Sequence, residues 1–140
     1  MRKLGYVTLK QSPLTMSETD SVTDACNRMR DDKAGAVLVT NRSGQLVGIF
    51  TGRDAVCRVL AQRCDAATTP LAEVMTQNPT AMSPEQTAID AVHLMREGGF
   101  RHIPLVKNGR IVGLLSRGDF KGAAPRADEI ESDPWQHMRD

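Results

Sequence analysis

The sequence predicts a mixed α/β (α+β) fold made of two β-α-β-β-α repeats, and two observations carry that prediction. The first is a stretch that occurs twice, Gly44-Gln-Leu-Val-Gly-Ile-Phe-Thr-Gly-Arg-Asp54 and Gly109-Arg-Ile-Val-Gly-Leu-Leu-Ser-Arg-Gly-Asp119. An aliphatic run after a turn reads as a strand, and Thr/Ser-x-x-Asp reads as the start of a helix. The second is that the similarity extends upstream. Gln11-Ser-Pro-Leu-Thr-Met-Ser17 matches Gln77-Asn-Pro-Thr-Ala-Met-Ser83, and Val22-Thr-Asp-Ala25 with Met29 matches Ala88-Ile-Asp-Ala91 with Met95. The shift is 66 residues from Gln11 to Gln77 and 65 from Gly44 to Gly109, because the second turn is one residue shorter. A unit of about 60 residues is marginal alone, so the pair is expected to fold together.

Within each repeat the elements follow in the same order. Extended segments around Leu14 to Met16 and Thr80 to Met82 lead into helices. Ser21-x-x-Asp24 and Thr87-x-x-Asp90 resemble capping boxes, with Asp where Glu or Gln is usual. Val22, Ala25, Cys26 and Met29 then share one helical face, as do Ala88, Ala91, Val92 and Met95. Gly35 is expected to end the first helix and Gly98-Gly99 the second. Ala36 to Val39 and Ile103 to Val106 read as buried strands, followed by turns at Asn41-Arg-Ser-Gly44 and Lys107-Asn-Gly109. The helix after Asp54 is expected to run on through Val56, Val59 and Leu60, while Gly122 and Pro125 stop its counterpart early. Met29, Met75, Met82 and Met95 read as core filler.

These boundaries divide the chain into residues 1–64 as the first repeat, 65–74 as a linker, 75–122 as the second repeat and 123–140 as a polar tail. In the tail, Asp133-Pro134 is placed to cap a short helix carrying Trp135 and Met138. The 140 residues are 40% hydrophobic, enough for one compact core. A formal charge of +1 with 4% aromatics gives no nucleic-acid footprint. No apolar run approaches the ~20 residues of a membrane span and no signal peptide opens the chain, so the expectation is a cytoplasmic protein. Cys26, Cys57 and Cys64 are odd in number and form no C-x-x-C pair, which fits reduced thiols.

With the repeated signature and Arg101-His-Ile-Pro-Leu105 in place, the chain resembles a tandem pair of cystathionine-beta-synthase (CBS) domains, a Bateman module, over roughly residues 7–122. The resemblance implies that the repeats pack sheet to sheet about a pseudo-two-fold axis. It also implies that the cleft between them takes an adenosine-containing ligand, and that two such modules associate as a homodimer. It places Asn78, Pro79 and Thr80 along the second pocket and Ser12, Pro13 and Leu14 along the first.

The corner residues suit such a ligand on their own chemistry. A carboxylate accepts hydrogen bonds from both ribose hydroxyls, the role expected of Asp54 and Asp119. Thr51 and Ser116, at helix starts, suit a phosphate. Arg101, His102 and Arg117 add phosphate donors at the second site, while Arg53 is the single cation at the first, where Gly35 and Ala36 replace Arg101 and His102. Gly48 and Gly113 are expected to leave room for a flat base, between apolar side chains such as Ala36, Ile49, Leu114, Ile103 and Pro104. The same Thr/Ser-x-x-Asp pattern also serves as an ordinary helix cap, and both readings stand at this point.

No Walker loop, metal-ligand spacing or Ser/His/Asp set is present, so the expectation is a binding module rather than an enzyme. The arginines favour a phosphate-bearing nucleotide over the cationic S-adenosylmethionine; AMP fits a single compact cleft, with NAD(H), ATP and ADP as alternatives. The chain has no room for an effector domain, so it is expected to regulate a protein in trans or to act on itself as an oligomer. The competing reading is a dimerisation scaffold with non-functional pockets.

Overall fold

A computed structural model of the protein describes residues 3–5 and 13–117. They form two compact units, residues 14–79 and residues 3–5, 13 and 80–117. The fold is mixed α/β, as expected from the repeats. Asp119, the segment 118–122 and the tail 123–140 lie outside the described residues. No helix among the described residues is long and apolar enough to cross a membrane.

In the first unit, β1 (Thr15–Ser17), β2 (Ala36–Thr40), β3 (Leu46–Thr51) and β4 (Thr76–Gln77) form one sheet in that order. β1 runs parallel to β2, while β2–β3 and β3–β4 are antiparallel. Helix α1 (Val22–Asp32) makes the crossover between β1 and β2. Ser21 caps it, its hydroxyl accepting the Asp24 N–H at 3.1 Å. The residue that ends it in the left-handed region is Lys33 (φ 53°), two positions before the expected Gly35. The Ala34 N–H closes the helix on the Met29 carbonyl at 2.9 Å.

β3 passes directly into α2 (Gly52–Asp54), which continues as a π-helical stretch, Ala55–Leu60. The segment 65–74, read as linker, is built into this unit. Leu71 and Val74 of α3 (Leu71–Val74) are 0% and 4% exposed and join a core with Val22, Ala25, Val37, Val39, Phe50 and Val59. Its backbone also closes the start of α1. Val22 and Thr23 N–H groups donate to the Thr69 and Ala66 carbonyls, and Leu71 N–H donates to the Asp20 carbonyl. Those bonds satisfy donors that a helix start leaves open.

In the second unit, α4 (Ala88–Gly98) lies between a bridge at Met82 and the hairpin β5 (His102–Lys107), β6 (Arg110–Ser116). Thr87 and Asp90 complete a capping box, and Gly99 at φ 71° ends α4 as expected. Asn108 (φ 53°) and Gly109 (φ 78°) form the two-residue turn between β5 and β6.

The counterpart of β1 shrinks here to the single parallel bridge Met82–Leu105, and proline is the reason. In the first unit the Leu38 N–H donates to the Leu14 carbonyl at 2.9 Å. The residue 66 positions on is Pro104, which has no N–H to give.

Chain order assigns residues 1–64 to the first repeat, yet residues 3–5 pack with the second. Leu4 is 0% exposed in a core with Met82, Ala91, Met95, Ile103, Leu105 and Leu115. Leu4 and Gly5 N–H groups donate to the Gln86 and Pro84 carbonyls at 2.8 and 2.9 Å.

Candidate functional site

Each repeat builds the same corner from its two antiparallel strands. In the second unit His102 pairs with Ser116 across the hairpin, and the Arg117 N–H donates to the Arg101 carbonyl at 3.1 Å. In the first, Ala36 pairs with Thr51 and the Gly52 N–H donates to the Gly35 carbonyl at 3.4 Å. These bonds match position for position. They bring Arg101, His102, Ser116 and Arg117 to one end of the hairpin and leave only Gly35, Ala36, Thr51 and Gly52 at the equivalent place. Directly paired residues share a face of the sheet, so His102 and Ser116 stand side by side. One guanidinium nitrogen of Arg101, Nη2, is buried. Arg53 is exposed.

The strand pleat separates the expected base-flanking residues into two sets. In the first unit Ala36 and Ile49 are 2% and 7% exposed yet stand outside the core formed with α1, as does Leu38, which pairs with Ile49. In the second unit Pro104 and Leu114 form the matching pair, on the same face as His102 and Ser116. Ile103 is the exception. It is 0% exposed and packs in the core with Ala91 and Met95, one residue out of phase with His102 and Pro104. Side chains alternate along a strand, so it cannot also flank a base beside its neighbours.

The glycines are likewise on the core face. Gly48 pairs with Val39 and Gly113 with Leu105, both core residues. The room left by Gly48 is taken by Met75, whose thioether a Cβ would strike. Leu14 is buried in the first core at 9% exposure. Asn78 and Pro79 belong to the first unit, where the Asn78 N–H donates to the Val47 carbonyl at 3.2 Å, while Pro13 and Thr80 belong to the second. Asp119 and Ser12 lie outside the described residues.

Asp54 is the buried charged group among the described residues, at 7% exposure. Its Oδ2 accepts the Thr51 N–H at 2.9 Å and the Thr51 hydroxyl at 3.2 Å, and its own N–H donates to Thr51 Oγ1 at 3.3 Å. The helix-cap role of this motif is therefore realised. Its Oδ1 accepts the Thr76 hydroxyl at 3.2 Å and faces Arg58 Nε at 3.5 Å. Sequence reasoning missed both partners. Arg58 stands four residues after Asp54, a spacing that pairs side chains on a helix, and was legible. Thr76 reaches the site only through its pairing with Ile49, which no local pattern announces.

Comparison with known proteins agrees with this architecture. A family model of the CBS domain matches residues 4–60 and again 71–126. The chain is 38% identical over 102 residues to the CBS domain-containing protein CBSCBSPB1 of Arabidopsis thaliana, a match covering 73% of this chain but 19% of that protein. The chain therefore spans only a small part of such curated relatives. The structure of a putative signal-transduction protein with CBS domains from Burkholderia ambifaria superposes with a TM-score of 0.80 at 28% identity, covering 87% of this chain and 93% of the other. CBS domain protein PAE2072 from Pyrobaculum aerophilum, solved in complex with AMP, gives 0.77 at 26% identity over 92% and 96% of the two chains. Two matches in tandem, a shared fold and a corner repeated bond for bond lead to one conclusion: this chain belongs to the CBS-domain family, as a tandem pair of the Bateman type.

Proposed function

We propose that the protein is a regulatory module that binds an adenosine-containing ligand, AMP ahead of NAD(H), ADP or ATP, at the corner of the second repeat. The observation that carries the reading is the meeting of Arg101, His102, Ser116 and Arg117 at one end of the β5–β6 hairpin. Two guanidinium groups, an imidazole and a hydroxyl make a donor set suited to a phosphate. Asp119, three residues after Ser116, is assigned the ribose diol, and Pro104 with Leu114 the flanks of the adenine. The AMP complex of the Pyrobaculum protein, on the same fold, supports the choice of nucleotide. The module acts as a homodimer and passes its signal to an effector protein in trans.

Thermal unfolding of the full chain with AMP, ADP, ATP, NAD, NADH or S-adenosylmethionine tests the reading. A ligand at about 100 times its Kd stabilises the native state by ~2.7 kcal/mol, a shift of several degrees. AMP is expected to raise the midpoint, and Asp119→Ala or Arg117→Ala to reduce that rise. If no adenosine ligand moves the midpoint, the module is a dimerisation scaffold instead.

A further inference from the structure

In the first repeat, the carboxylate that would hold a ribose already has donors from the chain on both oxygens. A carboxylate offers about four lone-pair sites. On Asp54, Oδ2 is taken by the N–H and hydroxyl of Thr51, which are the cap of α2 itself. Oδ1 is taken by the Thr76 hydroxyl at 3.2 Å and faced by Arg58 Nε at 3.5 Å. Neither of these two is needed for the cap.

Both are tied down from elsewhere. Thr76 is carried by β4, which pairs with β3 through Gly48–Gln77 and Ile49–Thr76. Arg58 donates from Nη1 to the Met75 carbonyl at 3.0 Å while Nε faces Asp54. Donors anchored on the same chain compete with a free ribose at high effective concentration. The pair is not repeated in the sequence: Ala123 and Lys10 stand at the positions matching Arg58 and Thr76.

We infer that Thr76 and Arg58 form an intramolecular latch on Asp54 that keeps the first repeat closed to a ribose. These two residues then decide how many nucleotides the chain takes up: one, at the second repeat. The inference rests on the nucleotide reading proposed above. A ligand that binds only an unlatched fraction has its apparent affinity lowered by that fraction.

Equilibrium dialysis of the full chain against radiolabelled AMP tests the latch. The unmodified chain is expected to bind one AMP. Arg58→Met combined with Thr76→Val is expected to strengthen uptake at the first site by roughly tenfold or more, giving a second AMP. Adding Asp54→Asn to that pair should return the count to one, and Thr76→Ser alone, which keeps the hydroxyl, should leave it at one. Thr76→Val and Arg58→Met as single changes give partial opening and guard against a double variant that folds poorly. Two AMP bound by the unmodified chain, with one lost in Asp54→Asn, would overturn the latch and leave the nucleotide reading intact. So would a folded double variant that still binds one. Absence of AMP binding in every variant overturns the nucleotide reading, and the latch with it.

Discussion

Met75 and Gly48 are fitted to each other. A methyl group at position 48 would meet Met75 Sδ, Cγ and Cε. Met75 is 6% exposed and its backbone is fixed at both ends, its N–H on the Leu71 carbonyl and its carbonyl on Arg58 Nη1. A thioether is adaptable, but one with core on every other side has little room to retreat. Gly48→Ala is therefore expected to cost ~1–3 kcal/mol, read from the denaturant midpoint at unchanged slope. Met75→Ala should cost on its own account, yet the double variant should lose less than the sum of the singles. Strict additivity would show that the two side chains do not compete for the space. A glycine in a strand signals a close approach, and the sequence shows that much. Whether a ligand or a methionine approaches depends on a pairing that only the fold supplies.

At the scale of elements, the start of α4 carries a pH dependence whose sign is fixed by its hydrogen bonds. Thr87 donates both its N–H and its hydroxyl to Asp90 Oδ2 at 3.0 Å, and these bonds hold the Asp90 carboxyl below its ordinary value. The folded pKa is thus lower than the unfolded one, near 3.9. The resulting stability is complete above that pH and is lost as the pH falls through the folded value. Glu85 is held down in the same direction by its hydrogen bond from Lys3. The unfolding midpoint should therefore fall as the pH is taken below the ordinary carboxylate range, about 4, and Asp90→Asn should flatten that fall without removing it. An equal slope in wild type and variant would contradict the assignment. This capping box was legible because it is local, three residues from end to end. The stop of α1 was not: glycine is the usual left-handed residue, but the helix closes at Lys33 when Ala34 finds the Met29 carbonyl. The short parallel pairing of the second repeat was legible in principle from Pro104, since a missing N–H is written in the residue itself. Ile103 was legible too, because alternation along β5 puts it opposite His102 and Pro104.

At the scale of the molecule, the duplication was plain from the sequence, whereas the exchange at the N-terminus was hidden. Leu4 contacts partners more than 75 residues away, and hydrophobic periodicity speaks only for neighbours within a turn or two. Lys3 bridges to Thr87 and pairs with Glu85 at 2.9 Å, while Leu4 buries its side chain completely between α4 and the hairpin. The two contributions differ in kind. The Lys3–Glu85 pair is exposed on both sides, where solvent screens it, and such pairs contribute little. A fully buried leucine truncated to alanine loses ~2–5 kcal/mol, through lost transfer energy and the cavity left behind. Leu4→Ala should therefore lower the thermal midpoint by several degrees, while Lys3→Ala should barely move it. The loss should also be uneven. Hydrogen-exchange protection in α4, β5 and β6 should fall further than in β2 and β3, because the cavity opens in the second core. If Leu4→Ala melts with the wild type, the N-terminal segment is not part of that core. If instead both repeats lose protection equally, the two cores unfold as one cooperative unit, and what Leu4 stabilises is the pair.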